Sequence, residues 1–365
     1  MAKYTFDEQA ADRAVNFIEK FCTHVKGELA RKPFLLEQWQ KDDIIRPLFG
    51  WKDEHGLRRY RTCYVEIPRK NGKSNLSAAI ALYMLFADGE PGAEIISAAG
   101  DRGQASIVFD IAKDMISNNV HLQQRARVLR NLIKYKTSWY KSISAEAYTK
   151  HGLNCHAVIF DELHTQPNRE LWDVLRTSQG ARRQPLTIAL TTAGHDRSSI
   201  CYEVHEYAIN VRDGILEDDT FLPVLYCADK DDDWTQEETW KKANPGYGTI
   251  CLKSYFEQAV KLAKSSPSEV NTFLRLHLNI WTSGETAWIP DDVWMKGNKP
   301  IPYDKLPTLP AYGGLDLAST QDLTAFALLF RDDDENCFYL LVHQFVNSDK
   351  AHTKKIKCRH RLPSI

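Results

Sequence analysis

Short apolar runs alternate with amphipathic stretches over most of the chain. The apolar runs predict strands at 61–67, 93–98, 156–161, 186–192 and 220–227. The stretches between them carry apolar positions at helical spacing, which predicts helices at 72–87, 102–118, 168–179, 198–212 and 252–264, and a further helix-like segment at 35–48. Apolar strands separated by helices favour an α/β fold with a mainly parallel sheet that is covered on both faces.

The pattern changes in a proline-rich segment at 284–310. Its prolines interrupt any regular element, and they are Pro290, Pro300, Pro302, Pro307 and Pro310. Beyond it come three strand-like runs joined by short polar turns, at 311–317, 323–330 and 337–346. A strand meander without intervening helices predicts the beginning of a second domain. We therefore expect a first domain over 1–283, a linker over 284–310, the start of another domain over 311–346 and a tail over 347–365.

Composition narrows the class of protein without giving its function. The chain has 365 residues, of which 43% are hydrophobic and 26% charged, and its net charge is −1, although residues 347–365 carry six Lys or Arg and one acid. A nearly neutral body neither indicates nor excludes nucleic-acid binding. No apolar run reaches the roughly 18 residues that cross a bilayer, and no export signal follows Met1, so we expect no membrane association. Eight scattered cysteines without a Cys-x-x-Cys pair predict a reduced, cytoplasmic protein.

The first candidate site is the turn between the strand ending at Ile67 and the next helix, which we call the Gly-Lys loop (residues 67–74). It reads Arg69-Lys70-Asn71-Gly72-Lys73-Ser74. A Gly-Lys-Ser turn in this position directs backbone N–H groups toward phosphates, brings the lysine to the β- and γ-phosphates and offers the serine hydroxyl to Mg²⁺. The usual first glycine of that pattern is Ile67 here. Read alone, the tripeptide can also be a chance turn.

A second candidate lies about 90 residues further on, where an apolar strand ends in Asp161 and Glu162. An aspartate at the end of such a strand can hold the Mg²⁺ water shell, and the next glutamate can polarise the attacking water. Two acids after a strand are often only a solvated edge. Their combination with the Gly-Lys loop predicts an ATPase.

Further residues extend the site, and most of them have a plainer alternative. Thr191 and Thr192 end another strand and can sense the γ-phosphate, or simply form a turn. Gln40 can read the adenine edge with its amide, or lie on the surface. Arg69 is a candidate charge stabiliser within the same subunit. Arg182 and Arg183 can serve a neighbouring subunit or DNA, or form a solvated pair.

Taken together, these residues resemble the large terminase subunit of tailed bacteriophages, in its HK97-like branch. The matching stretches include Trp39-Gln40, "EIPRKNGKSNLSA", "AAGDRGQASIVFDIAKDM", "GLNCHAVIFDELH", "ARRQPLTIALTTAG", "NIWTSGETAWIPDDVW" and "YGGLDLASTQDLTAF", which follow the family's order over most of residues 30–330. The family tolerates a deviant phosphate loop, which accounts for Ile67. The resemblance implies a P-loop ATPase domain of the ASCE type joined to an RNase H-like nuclease domain.

The resemblance also implies roles, cofactors and partners. Asp161 and Glu162 become the Walker B pair, and Thr191-Thr192-Ala193 becomes the coupling motif. Asp316, and less directly Asp322, match metal-binding aspartates of the nuclease site. The implied cofactors are ATP with Mg²⁺, and Mg²⁺ or Mn²⁺ at the nuclease site. The implied partners are double-stranded DNA, the portal protein, a small terminase subunit and further copies in a ring, in the host bacterial cytoplasm and transiently at the prohead portal.

The chain departs from its family after the third strand of the meander. Family members continue and supply further metal-binding aspartates, whereas the basic stretch "NSDKAHTKKIKCRHRLPSI" follows here. We therefore expect an ATP-driven DNA-packaging motor subunit whose nuclease activity is lost through truncation. One alternative is an inactive prophage remnant that binds nucleotide or DNA without turnover. The other is a helicase-like P-loop translocase, against which the strand meander argues, because a helicase continues into a second ATPase-like lobe.

Overall fold

A computed structural model describes residues 3–145, 152–282, 295–298, 300–317 and 324–345. The chain divides into two compact units, a first unit of Met1–Trp288 and a second unit of Ile289–Ile365. Each unit is described here by itself. None of the described helices combines the length and apolarity that would let it cross a bilayer.

The first unit is an α/β structure. Its described strands are β1 Tyr4–Phe6, β2 Trp51–Asp53, β3 Thr62–Glu66, β4 Glu94–Ala99, β5 Arg127–Leu129, β6 Leu132–Tyr135, β7 Ser138–Ser144, β8 Ala157–Asp161, β9 Leu186–Thr191 and β10 Phe221–Leu225. Its described helices are α1 Glu8–Phe21, α2 Arg46–Gly50, α3 Lys73–Phe86, α4 Arg102–Asn118, α5 Val120–Gln123, α6 Glu170–Thr177, α7 Ile200–Arg212, α8 Glu237–Ala243, α9 Lys253–Ala263 and α10 Pro267–His277.

The central sheet runs in the order β10-β3-β9-β8-β4-β7-β6-β5 in the described part of the chain. The pairs from β10 to β7 are parallel, and the last two pairs are antiparallel. Alternate side chains of the central strands enter two separate cores. In β8, Ile159 packs on the side of α3 and α4, while Phe160 packs on the side of α6 and α7. Burial on both faces explains why these strands are mostly apolar on both faces rather than on alternate positions only.

The five predicted strands and five predicted helices of the first unit are present, with ends shifted by one or two residues. The pattern missed the antiparallel extension β5 to β7, because β5 and β6 are short and carry little apolar periodicity, so the sheet is mixed at that end. It also missed α1, α8 and α10. The segment predicted at 35–48 becomes helical only from residue 38 and contains a π-helical turn, Gln40–Ile45, that continues into α2.

A third core lies in a group of short helices after β10, which we call the helical cluster (residues 228–278, with α8, α9 and α10). Phe256, Val260 and Ala263 are buried on one face of α9, at the four- and three-residue spacing of a helix, and they pack with Trp240 of α8 and Phe273 of α10. Pro267 is the first residue of α10, where its missing N–H costs nothing.

The described part of the second unit contains three antiparallel strands, β11 Ala311–Asp316, β12 Thr324–Asp332 and β13 Cys337–Phe345. They occupy the three runs that the sequence predicts. Several of their large apolar side chains are exposed, among them Tyr312, Leu315, Phe338 and Phe345.

Candidate nucleotide-binding site

The Gly-Lys loop joins the carboxyl end of β3 to the first turn of α3. Gly72 is the residue before the helix and has φ 80°, a left-handed conformation that glycine adopts without strain. Lys70 also has a left-handed conformation, with φ 70°, which is uncommon for a residue with a side chain. The loop therefore turns sharply twice and leads into a helix whose first N–H groups have no partner within the helix.

Lys73 is the first residue of α3, and its side chain is almost entirely buried. Its ammonium donates to Thr192 Oγ1 at 2.7 Å and to the carbonyl oxygens of Ile67 at 3.1 Å and Pro68 at 3.3 Å. It also lies 3.6 Å from Glu162 Oε1. Burial lowers the pKa of Lys73, while the neighbouring acids favour the charged form.

Asp161 and Glu162 lie at the end of β8, opposite the loop. Ser74 Oγ donates to Asp161 Oδ2 at 3.3 Å, and Asp161 Oδ1 is buried with no hydrogen-bond partner among the described residues. Glu162 has a left-handed backbone, with φ 52°. Its Oε2 lies 3.3 Å from His164 Nδ1. A buried carboxylate oxygen without a donor suits a cation ligand, so this donor set fits Mg²⁺.

The two acids have opposite pKa shifts. Burial, together with the charge of Glu162, raises the pKa of Asp161 to about 7. Burial also acts to raise the pKa of Glu162, but the Lys73 ammonium and the hydrogen bond with His164 outweigh it, and the pKa falls to about 2. Glu162 is consequently a carboxylate at neutral pH, whereas Asp161 needs a further positive charge to be fully ionised.

The loop and the carboxylate of Glu162 border a cavity of about 450 Å³. The residues that line it are Arg69, Lys70, Gly72, Lys73, Ser74, Asn75, Gln104, Glu162, His164 and Thr165. Arg69 and Lys70 are exposed, whereas Lys73 is buried at the bottom of the loop. Basic side chains of the Gly-Lys loop and the first N–H groups of α3 thus lie together on one side of the cavity, which suits phosphate groups.

Thr191 and Thr192 point in different directions. Thr192 Oγ1 accepts from Lys73 and lies 3.4 Å from Glu162 Oε2, so it belongs to the site. Thr191 Oγ1 accepts from the backbone N–H of His164 at 3.1 Å and lies 3.7 Å from Cys201 Sγ. Thr191 does not line the cavity, and its hydroxyl contacts His164 rather than Glu162.

The segment after Thr192 is fixed by the chain that leaves the helical cluster. Ala193 N donates to Asn279 Oδ1 at 2.7 Å, and the ring of Trp281 lies against Gly194. A Cβ atom at Gly194 would lie only 2.8 Å from Trp281 Cζ3, so no side chain fits there.

We therefore expect Gly194→Ala to destabilise the protein by about 1–3 kcal/mol, the usual cost of overpacking a core. The measurement is the midpoint of thermal unfolding. Gly89→Ala is not a suitable control, because Gly89 has φ 87°, but Gly180→Ala is, since its nearest neighbour is 3.7 Å from the added Cβ. Equal midpoints for the 194 and 180 variants would contradict the packing.

Other residues that the sequence singled out lie in different positions. Gln40 is fully buried rather than on the surface, and its Nε2 has no partner among the described residues. The side chain of Asn71 is directed toward the helical cluster, where it bonds Asn244. Arg182 bonds Glu90 and the carbonyl oxygens of Gly92 and Asn154, so it is an intramolecular tie rather than a solvated or partner-facing cation.

The nuclease candidates are placed only in part. Asp316 ends β11 and is exposed, and Asp322 lies outside the described residues. Within the described residues, the group of acids and cysteine close enough to share a metal ion is Asp332, Glu335 and Cys337, which does not include Asp316. The role of Asp316 stays a prediction.

Several lining residues were missed from the sequence. His164 and Thr165 follow the carboxylate pair directly, and proximity in sequence could have suggested them. Asn75 and Gln104 stand in the first turns of α3 and α4, at helix ends that meet the same edge of the sheet. Asn244, which does not line the cavity but bonds Asn71 of the loop, stands in no recognisable sequence motif, because this contact arises from tertiary packing.

Comparison with known proteins identifies two family models that match the chain. A family model described as "Terminase large subunit, ATPase domain" matches residues 38–210, and one described as "Terminase large subunit, endonuclease domain" matches residues 215–362. These domains are of kinds that use a nucleotide and divalent metal ions. The second match includes most of the stretch after 346, for which the sequence predicts a separate tail.

Two terminase large subunits resemble the chain over most of its length. The terminase large subunit of Enterobacteria phage HK97 is 32% identical over 332 residues, which are 88% of this chain and 63% of that protein. The terminase large subunit of Lactococcus phage p2 is 23% identical over 90% of this chain and 61% of its own length. The chain thus spans less than two thirds of the length of these relatives.

A solved structure gives the same relation in three dimensions. The crystal structure of the HK97 bacteriophage large terminase superposes with a TM-score of 0.66 at 28% identity, covering 95% of this chain and 71% of that one. Two matching domain models in the family's order, a relative at 32% identity and this superposition lead to one conclusion: the chain belongs to the terminase large subunit family.

Proposed function

We propose that the first unit binds ATP with Mg²⁺ in the cavity beside the Gly-Lys loop, hydrolyses it, and thereby serves an ATP-driven motor that packages phage DNA. The observation that carries this proposal is that the Gly-Lys loop meets both carboxylates at one edge of the sheet. Lys73 Nζ lies 3.6 Å from Glu162 Oε1, and Ser74 Oγ lies 3.3 Å from Asp161 Oδ2. Membership of the terminase family supports the second part of the proposal, that ATP hydrolysis drives the movement of DNA.

Each residue has a distinct task in this proposal. The backbone N–H groups of residues 70–74 hold the phosphates, and Lys73 neutralises the β- and γ-phosphates. Ser74 and Asp161 would hold the Mg²⁺, whose positive charge would offset the negative charge of the phosphates. Glu162, ionised and free of the metal, accepts the proton of the attacking water. Arg69 lies at the mouth of the cavity, where its charge can stabilise the transition state.

The buried amide of Gln40 supports recognition of adenine. Its Oε1 accepts from the Glu37 backbone N–H at 3.0 Å, while its Nε2 remains without a partner among the described residues. The free Nε2 can donate to a ring nitrogen of adenine, and the second lone pair of Oε1 can accept from the exocyclic amine. Thr192, bonded to Lys73 and close to Glu162, is placed to report on the γ-phosphate.

The remaining expectations come from the family and stay proposals. The motor would act on double-stranded DNA together with a portal protein, a small terminase subunit and further copies of itself in a ring. It would work in the host cytoplasm and at the prohead. Asp316 and Asp322 would hold Mg²⁺ or Mn²⁺ at the endonuclease site.

The direct test of the nucleotide site is Lys73→Met. Removing the only ammonium in contact with Thr192 and Glu162 within the described structure should weaken MgADP binding by about tenfold or more, since hydrogen bonds to charged groups contribute about 1.5–3 kcal/mol. Titration calorimetry measures the affinity. Lys113→Met, a partly exposed lysine bonded to Asp110 on α4, is the matched control. Equal affinities in both variants would refute the assignment.

A further inference from the structure

The Gly-Lys loop carries strain that its own sequence does not relieve. Lys70 has a left-handed backbone, with φ 70°, and Ile67 stands where phosphate loops usually have their first glycine. A residue with a side chain remains in this conformation only when its surroundings fix it. Outside the cavity, residues 69–71 of the loop are contacted by the helical cluster.

Asn71 and Asn244 form the central contact. Asn71 Nδ2 donates to Asn244 Oδ1 at 2.8 Å and to the carbonyl oxygen of Pro68 at 3.2 Å, while Asn71 Oδ1 accepts from Gly246 N at 3.2 Å. Both asparagine residues are almost completely buried. The Asn71 side chain thus ties the two ends of the loop's first turn to a residue 173 positions away in the sequence.

Asn244 is itself fixed by two helices of the cluster. Its Nδ2 donates to the carbonyl oxygen of Trp240 at 2.9 Å, in α8, and to that of His277 at 2.8 Å, the last residue of α10. Its donor and acceptor groups are therefore all used. A buried amide with this complete set of partners has one orientation, and it transmits the position of α8 and α10 to the loop.

Two more bonds join the same parts of the chain. The backbone N–H of Arg69 donates to the carbonyl oxygen of Leu276 at 3.0 Å, and Cys251 Sγ donates to the carbonyl oxygen of Lys70 at 3.2 Å. Three consecutive loop residues, 69 to 71, are thus bonded to the helical cluster. With its carbonyl fixed by Cys251, the strained peptide at Lys70 cannot flip without breaking a bond.

We propose that Asn244 is a positioning residue for the nucleotide site, which through Asn71 holds the Gly-Lys loop in its phosphate-binding conformation. The helical cluster then sets nucleotide affinity although it contributes no residue to the lining of the cavity. This inference rests on the proposed function, since it concerns the same site. Asn244 touches no group that would react, so its effect is on the geometry of the loop N–H groups and hence on binding rather than on the chemical step.

The experiment measures MgADP affinity by calorimetry for the intact chain and for Asn244→Ala, Asn71→Ala and the double variant. Each single change should weaken MgADP by about tenfold, the scale of one buried hydrogen bond lost with its partner left unpaired. Because both act through one contact, the double variant should be little weaker than the single ones. The KM for ATP should rise with little change in kcat, as for a loss of uniform binding.

The matched control is Asn118→Ala, which removes an amide bonded to Thr23 Oγ1 at 3.1 Å, at the far end of α4. A purely structural role for Asn244 would lower the unfolding temperature and leave MgADP affinity unchanged, which would overturn the inference. If Asn244→Ala does not fold, the MgADP affinity of Asn71→Ala, compared with that of Asn118→Ala, tests the inference instead. Lack of MgADP binding by the unaltered chain would instead refute the proposed function, and the positioning role with it.

Discussion

Replacing Glu162 by Gln is expected to lower the rate of ATP hydrolysis by about 10²- to 10⁴-fold, the usual contribution of a positioned general base. Glutamine keeps the size of the side chain and its ability to contact His164 and Lys73, but it cannot accept a proton from water. The substitution removes a negative charge that is present at neutral pH, because Lys73 and His164 lower the pKa of Glu162 to about 2; only the carboxylate can accept a hydrogen bond and then the proton from the attacking water. Binding of MgADP should remain close to that of the unaltered chain, since Glu162 is not among the groups proposed to hold phosphate or metal.

The control for this variant is Glu203→Gln, at an exposed carboxylate bonded to Arg169. Phosphate release, measured with and without double-stranded DNA, should be unchanged there. Equal hydrolysis by the Glu162 and Glu203 variants would show that the base lies elsewhere. An unaltered chain that binds MgADP but releases no phosphate under either condition would favour the inactive remnant over the motor.

The second large effect concerns folding. The side chain of Asp88, two residues after the end of α3, is buried between Arg58 and His156. The side chain of Arg58 is completely buried. The guanidinium makes two parallel bonds to the carboxylate, at 2.9 Å and 3.1 Å, and His156 Nε2 lies 2.7 Å from Asp88 Oδ2. Asp88→Asn leaves the Arg58 charge buried without its counter-charge, and we expect the free energy of unfolding to fall by about 3–5 kcal/mol. The thermal unfolding midpoint of the first unit measures it.

The pH dependence of this loss has a definite sign. Burial acts to raise the pKa of Asp88, but Arg58 and His156 outweigh it and hold the pKa well below its ordinary value. A carboxylate with a lowered pKa contributes stability that is complete above its unfolded pKa of about 4 and is lost as the pH falls below it. The difference in free energy of unfolding between the unaltered chain and Asp88→Asn should therefore stay nearly constant from pH 6 to about pH 5 and narrow as the pH falls below about 4.

Asp173→Asn provides the matched comparison. Asp173 also bonds an arginine, Arg169, in a two-point contact, but both side chains are about half exposed. An exposed pair four residues apart on a helix contributes only about 0.3–0.5 kcal/mol. A similar shift in both variants, or a Asp88 effect that does not change with pH, would contradict a buried ion pair as the cause.

The core of the fold could be predicted because its signals are local. The strand at 157–161 is apolar at every position before Asp161, and α3 begins directly after a glycine, so both are visible in short windows of sequence. The missed antiparallel strands β5 and β6 are three and four residues long, and their pairing depends on the neighbouring β7 rather than on their own periodicity. Order within the sheet, such as β9 between β3 and β8, is likewise a tertiary result.

The site divides in the same way. Lys73, Ser74, Asp161 and Glu162 could be predicted because each stands in a short pattern whose chemistry is recognisable, and the structure brings them together. The different orientations of Thr191 and Thr192 were hidden by their adjacency, although alternating side-chain direction in a strand favours such a split. The buried position of Gln40 and the bond from Asn71 to Asn244 depend on packing between distant segments, which no local pattern records.

The most direct measurement is a crystal structure of the chain grown with ADP and Mg²⁺. We expect density for the two phosphates over residues 70–74, with Lys73 Nζ directed to the β-phosphate and a metal ion between Ser74 and Asp161. Nucleotide bound at any other place, or a Gly-Lys loop that stays empty at a concentration of ADP sufficient to saturate the chain in solution, would contradict the assignment of residues 67–74 and of both carboxylates.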